Sequence, residues 1–285
     1  MQKIDDFNQH ELDRFKDVQA LAYESVQVVE KQLTEGMTEK EAAQLIKNYL
    51  DERGVDSYLH KPFAWFGDRT AFTGFWSDFH FFPTNRKLEK GMPVILDVAP
   101  TVGGYTADIG YALSFGKPNP VLEKIQATLI EIREYILKAT LAEKTFQQIY
   151  FDVDEIISDA GFRNAHQVYP RRVLGHRVTK THQSIYDNLS LFGFSSRQLQ
   201  WLVPGLVKGL FRQPSSPLWN DLKESDHPPL PGTWAIEPHL ASQDGQVGAK
   251  WEEILVITDE TAYWLDDNVP HLTKINTASL KTVAA

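Results

Sequence analysis

The sequence predicts an α/β (α+β) fold made of two similar halves, each a pair of helices followed by an antiparallel hairpin. Three observations carry this reading. Two helical pairs each close on a glycine, Gly54 and Gly161. Strand-like segments follow each pair. Each half also contains one hairpin signal with an acidic residue on either arm.

Residues 9–34 and 38–53 read as the first two helices. The first carries Leu12, Phe15, Val18, Leu21 and Ala22 at helical spacing. The second has Thr38 as N-cap, Glu41 as its capping-box partner and Gly54 as terminator. Strands are expected over roughly 57–115. In VILDVAPTVGGYTADIGYALSFG, Pro100 and the Gly103-Gly104 pair mark a turn between VILDVA and YTADIGYAL. A turn centred between Val102 and Gly103 places Asp97 opposite Asp108, with Cβ atoms about 5 Å apart on one face, where like charges repel. A proton on one carboxyl or a cation between the two resolves the conflict. After GKPNP, the segments VLEKIQATLIEIREYILKA and KTFQQIYFDVDEIISDAGF read as the second helical pair. GTWAIEPHLAS and VGAKWEEILVIT then flank Asp244-Gly245, and a turn centred there places Glu237 opposite Glu252. Strand alternation sends the adjacent Glu253 to the other face.

Composition bounds the function. The chain has 285 residues, 42% hydrophobic and 24% charged, which is ordinary for a globular protein. Its net charge of -9 argues against nucleic acid or an anionic membrane surface as the main partner. The absence of cysteine excludes disulfides, thiolate metal sites and a cysteine nucleophile. MQKIDDFNQHELDRF lacks the apolar core of a signal peptide, and no run of about 18 apolar residues could span a bilayer. The expected location is cytoplasmic.

Two opposed acidic pairs, each embedded in apolar strand sequence, imply a four-carboxylate site. One divalent ion leaves two charges uncompensated, whereas a co-catalytic pair about 3.5–4 Å apart balances them. Oxygen-rich ligands with one imidazole favour Mn, Fe, Co or Zn. The candidate imidazole is His176 in VLGHRVTK.

DVAPTVGGYTAD, LGHRVTKTH, IEPHL and KWEEILVIT, in that order, resemble the pita-bread metallopeptidases, which include methionine aminopeptidases, proline-specific aminopeptidases, prolidases and a creatinase-like branch. The resemblance implies the pita-bread fold, in a single catalytic domain over 1–285 with an insertion at about 183–230. It places the family's five metal ligands on Asp97, Asp108, His176, Glu237 and Glu252. It further implies that His80 contacts substrate, that His182 is a second active-site histidine, and that Glu237 shuttles a proton. His182 follows His176 by six residues where the family usually has seven. The acidic residue after Glu252 is typical of the proline-type and creatinase-like branch. The implied activity is that of an M24-like aminopeptidase or dipeptidase of Xaa-Pro type, using two divalent ions on a peptide or small-molecule substrate.

Three departures surround the expected substrate position. Arg177, Val178 and Thr179 replace the glycines that usually follow the metal histidine. His239 stands where glycine usually follows Glu237-Pro238, and Lys250 replaces an arginine two residues before the last ligand. They sustain a rival reading, hydrolase or lyase chemistry on a non-peptide small molecule. A non-catalytic binding module of the same fold is a second. Within the insertion, Leu199, Val203, Leu206 and Leu210 recur at helical spacing, interrupted by Pro204. This stripe reads as a core helix, an active-site lid or the contact of a homodimer.

Overall fold

The computed structural model describes residues 7–181, 190–191, 194–195 and 216–273. Its helices begin where the sequence caps them. α1 (Gln9–Glu30) follows Asn8, whose side chain accepts from Glu11 while Glu11 reaches back to the Asn8 backbone. α2 (Glu39–Asp51) repeats this reciprocal cap with Thr38 and Glu41. In the second half, Asn119 caps α3 (Pro120–Leu141), and Thr145 with Gln148 caps α4 (Phe146–Asp159). Each reciprocal cap satisfies two of the donors that a helix start leaves open. Gly54 and Gly161 end the pairs in the left-handed region, at φ of 80° and 79°.

Between the helical pairs run β1 (Ser57–Tyr58), β2 (Phe63–Phe66), β3 (Pro93–Val98), β4 (Pro100–Val102), β5 (Tyr105–Thr106) and β6 (Ile109–Ser114). They form two three-stranded sheets, ordered β2-β3-β6 and β1-β4-β5. The expected run of strands is broken by two 3-10 turns, Gly67–Ala71 and Asp78–Phe81. Buried Glu39, at the start of α2, ties this region down. It accepts from Arg69 Nε at 2.8 Å and from the Phe66 and Thr84 backbones, while Arg69 donates to the carbonyl of His80.

The second half has β7 (Arg163–Asn164), β8 (Gly175–Val178), β9 (Ser190–Leu191), β10 (Phe194–Ser195), β11 (Leu218–Trp219), β12 (Gly232–Ile236), β13 (His239–Ala241), β14 (Gly248–Lys250), β15 (Glu253–Ile257) and β16 (Ala262–Trp264). A five-stranded sheet is ordered β11-β8-β12-β15-β16 and a three-stranded one β14-β13-β7, while β9 and β10 pair with each other. The long hairpin of each half is therefore interrupted midway, where its arms pass from one sheet to another. The four acidic residues sit at these interruptions. Asp97 is in the last turn of pleat in β3, Asp108 just before β6, Glu237 just after β12 and Glu252 just before β15.

The first hairpin corrects the expected register. Asp97 lies opposite Gly110, and Thr101 opposite Thr106. The turn is centred on Gly103-Gly104, whose φ angles of 58° and 89° fill both central positions of a two-residue loop that only glycine enters cheaply. The pairing of Asp97 with Asp108 is thus off by two residues. A slip of two keeps the face, so both carboxylates still point the same way. In the second hairpin, Ile236 pairs with Glu253 and His239 with Lys250, which brackets Glu237 and Glu252 across the interruption.

Each half packs its helices on its own sheet. Val26, Ile46, Leu50, Phe66, Val94 and Leu96 belong to the first core; Ile125, Ile132, Phe146, Ile149, Trp219 and Trp234 belong to the second. A third cluster joins the halves through Phe15, Tyr105 and Ala107 against Val178, Ala235 and Ile254. The site residues come from both sides of this seam. The described end of the insertion is core: Trp219 stacks on Phe146 at 4.0 Å. Leu199, Val203, Leu206 and Leu210 lie outside the described residues. No helix of the described residues is long and apolar enough to cross a membrane.

Candidate metal centre

Asp97, Asp108, Glu237 and Glu252 are each more than nine-tenths buried. His176 joins them from β8, whose interior position in the five-stranded sheet, between β11 and β12, sets it beside Ala235 on one side and Leu218 on the other. Its Nε2 lies 3.3 Å from Asp108 Oδ2 and 3.8 Å from Glu252 Oε1. The sequence placed these five residues on separate strands; the fold brings them into one cluster.

Two further residues enter the cluster. His60, just after β1, sets Nε2 3.1 Å from Asp108 Oδ1 and 3.2 Å from Asp97 Oδ1. Lys250 places its ammonium among the carboxylates, 2.7 Å from Asp97 Oδ2 and 3.2 Å from Glu237 Oε2. It also lies 3.0 Å from Glu252 Oε2, close enough for an ion pair but not directed as a hydrogen bond. Alternation along the strand could have found Lys250, because positions 250 and 252 share a face. No local signal marks His60.

The other candidates sit differently. His80 lies on the 3-10 turn Asp78–Phe81, its Nδ1 3.2 Å from Ser77 Oγ and its ring against Trp76. None of these contacts reaches the carboxylates. His182 lies outside the described residues. His239 is fully buried, with Nε2 2.7 Å from the Thr70 carbonyl and Nδ1 3.2 Å from the Tyr169 hydroxyl. Glu253 turns away from the cluster to Arg133, which meets it at 2.6 and 3.0 Å.

Burial and crowding drive the electrostatics. Burial pushes the Glu237 carboxyl up to about 8, reinforced by Glu252 and opposed by Lys250. Glu252 is raised by burial and by Asp108. Burial pushes the His60 imidazole down, but Asp108 and Asp97 outweigh it and hold it at about 10. The same balance, with Asp108 and Glu252, raises His176. Burial alone would neutralise Lys250, yet Asp97 and Glu252 keep it charged. The cluster demands positive charge.

The residues fit a divalent ion. Asp97 Oδ1 and both oxygens of Glu252 are buried without a hydrogen bond among the described residues, a costly state that a cation relieves. Two groups of three could each hold an ion, His60–Asp97–Asp108 and Asp108–His176–Glu252, with donor atoms within 4.8 Å of one another. Carboxylate and imidazole donors are those of a borderline divalent metal.

The sequence profile of metallopeptidase family M24 matches residues 13–259. This chain belongs to that family. An uncharacterized peptidase of Staphylococcus haemolyticus is 28% identical over 169 residues, covering 59% of this chain and 45% of that protein. An uncharacterized peptidase of Staphylococcus epidermidis is 26% identical over the same length. The chain matches less than half the length of these relatives. An X-Pro aminopeptidase from Thermotoga maritima superposes with a TM-score of 0.66 at 19% identity, over 91% of this chain and 61% of that one. Prolidase from Pyrococcus furiosus gives 0.65 at 18%, over 90% and 64%. Methionine aminopeptidase from Rickettsia prowazekii gives 0.62 at 11%, over 92% and 99%. At these identities the likeness is one of fold, and the fold is the pita-bread architecture.

Proposed function

We propose that this chain is a metal-dependent peptidase of Xaa-Pro type, an aminopeptidase or dipeptidase that hydrolyses an amide bond near a free amino terminus. One observation carries the reading. In a chain of family M24, four buried carboxylates and His176 converge with three carboxylate oxygens lacking hydrogen bonds among the described residues. Asp97, Asp108, His176, Glu237 and Glu252 would hold two divalent ions, of Mn, Fe, Co or Zn, within one catalytic unit. Bound ions supply an activated water at neutral pH and polarise the scissile carbonyl.

The chain's own groups do the rest. Glu237, at the edge of the cluster, would move a proton from the attacking water to the leaving amine, the role the resemblance gives it. Lys250 holds Asp97 and Glu237 in fixed orientation through its hydrogen bonds. His80 is assigned to substrate contact, and His182 to the role of a second active-site histidine, by resemblance alone.

A second reading, hydrolysis or lyase chemistry on a non-peptide small molecule, is supported by Lys250. Its ammonium is committed to carboxylates and cannot present the bidentate fork of the arginine it replaces. A non-catalytic module ranks below both, since all five ligand positions keep metal-binding side chains.

The test is turnover of Xaa-Pro, Met-Xaa and N-blocked peptides after reconstitution with Mn, Co, Fe or Zn. Cleavage confined to Xaa-Pro substrates is the expected result. Full metal loading without cleavage of any peptide overturns the peptidase reading in favour of the small-molecule one.

A further inference from the structure

His60 and His176 stand on opposite sides of Asp108. His60 Nε2 faces Asp108 Oδ1 at 3.1 Å, and His176 Nε2 faces Asp108 Oδ2 at 3.3 Å. Both rings are anchored in the same way. His60 Nδ1 lies 2.9 Å from the Lys61 carbonyl, and His176 Nδ1 lies 3.1 Å from the Arg177 carbonyl. A carbonyl oxygen only accepts, so each Nδ1 carries the hydrogen. Each Nε2 is thereby the nitrogen turned toward carboxylate oxygens, the position at which a metal ion takes the place of a proton. A proton or a metal ion must stand between each Nε2 and the oxygens it faces. Donation of the remote N–H to a backbone carbonyl is also how proteins orient a metal-ligating histidine.

The surroundings of His60 are built for that orientation. Its ring stacks on Phe63 at 4.8 Å with an interplanar angle of 6°. Phe63 pairs with Asp97 across β2 and β3, so one ladder position supports both ring and carboxylate. Lys250 completes the arrangement. By taking Asp97 Oδ2, it leaves Oδ1 turned toward His60 Nε2 at 3.2 Å, and that buried oxygen has no hydrogen bond among the described residues.

We infer that His60 is a metal ligand: with Asp97 and Asp108 it forms a coordination half-site that shares Asp108 with the half-site of His176 and Glu252. Lys250 is the fixed cation that divides the carboxylate oxygens between them. This inference rests on the metal-dependent reading above and adds a ligand to it.

The experiment measures zinc bound per chain after equilibrium dialysis, in wild type and in His60→Ala, together with X-ray absorption of the zinc-loaded wild type. Expected are about two ions in wild type and about one in His60→Ala, with roughly one imidazole per ion in the outer-shell scattering. The absorption measurement needs no variant, so a misfolded His60→Ala protein leaves the question decidable. An unchanged zinc count in folded His60→Ala, or about half an imidazole per ion in wild type, overturns the inference and assigns a proton to His60. A wild type that takes up no zinc, manganese or cobalt overturns the metal-dependent reading itself.

Discussion

The stem of Lys250 crosses the bare face of Gly110. A Cβ at position 110 would lie 2.7 Å from Lys250 Cε, 2.9 Å from Cγ and 3.0 Å from Cδ. Gly110 is also the residue paired with Asp97 across β3 and β6. The missing side chain is what lets a lysine from the second half reach an aspartate of the first. Glycine is required at this position for close approach, not for a turn.

Gly110→Ala should therefore destabilise the protein by about 1–3 kcal/mol, the usual cost of overpacking. The penalty should shrink in a Lys250→Ala background, where the stem is gone. A double-mutant cycle from urea denaturation measures the coupling. Additive costs would show that Gly110 accommodates something other than the lysine.

Arg133→Met should cost about 3–5 kcal/mol, because it strands a buried carboxylate. Glu253 is fully buried and meets the Arg133 guanidinium at two points, 2.6 and 3.0 Å. Removing both charges, as Arg133→Met with Glu253→Leu, should recover most of the loss. Metal content should stay at the wild-type value in the single variant, since the pair faces away from the cluster. Thermal unfolding and metal analysis check the two halves of this prediction separately. A milder loss, well under 1 kcal/mol, would mean that His271, 2.7 Å from Glu253, suffices as its partner.

Acid should unfold the protein partly through His166. This ring is fully buried, accepts from Asn164 at 2.9 Å, and burial pushes it down to about 3. The unfolded chain titrates near the ordinary value of about 6.5. Between these values the unfolded state holds the extra proton, so stability is complete above pH 6.5 and falls as pH drops toward 3. Denaturation across that range should show a shallower pH slope in His166→Gln, by about one proton or ~1.4 kcal/mol per pH unit. An identical slope would mean that the folded protein protonates His166 without penalty.

Much of the fold was legible because its signals are local. Thr38 with Glu41 starts a helix, Gly54 and Gly161 end one, and Asp244-Gly245 centres the second hairpin, each within a few residues of the feature it sets. The first hairpin shows the margin of such reasoning. Gly103 and Gly104 together, rather than Val102 with Gly103, take the left-handed positions, and the register moves by two. Side-chain alternation survived that error, which is why Asp97 and Asp108 still meet. Likewise, alternation separates Glu252, in the cluster, from Glu253, on Arg133.

By itself the sequence determined the two-half architecture, the helix boundaries and the set of acidic strand residues that face inward, since periodicity and capping act over one or two turns of chain. Only the tertiary structure decided which distant groups share those carboxylates. His60 reaches Asp108 across 48 positions, and Lys250 reaches Asp97 across 153. The Lys250 contact depends on how the halves close along the seam of Phe15, Tyr105, Val178 and Ile254, and on the space left by Gly110; the His60 contact forms within the first half, where β1 pairs with β4. Resemblance assigns His80 to the substrate, and the fold sets its ring beside Trp76 and Ser77. Packing between segments remote in the chain selects such partners, and no pattern within either segment encodes the choice.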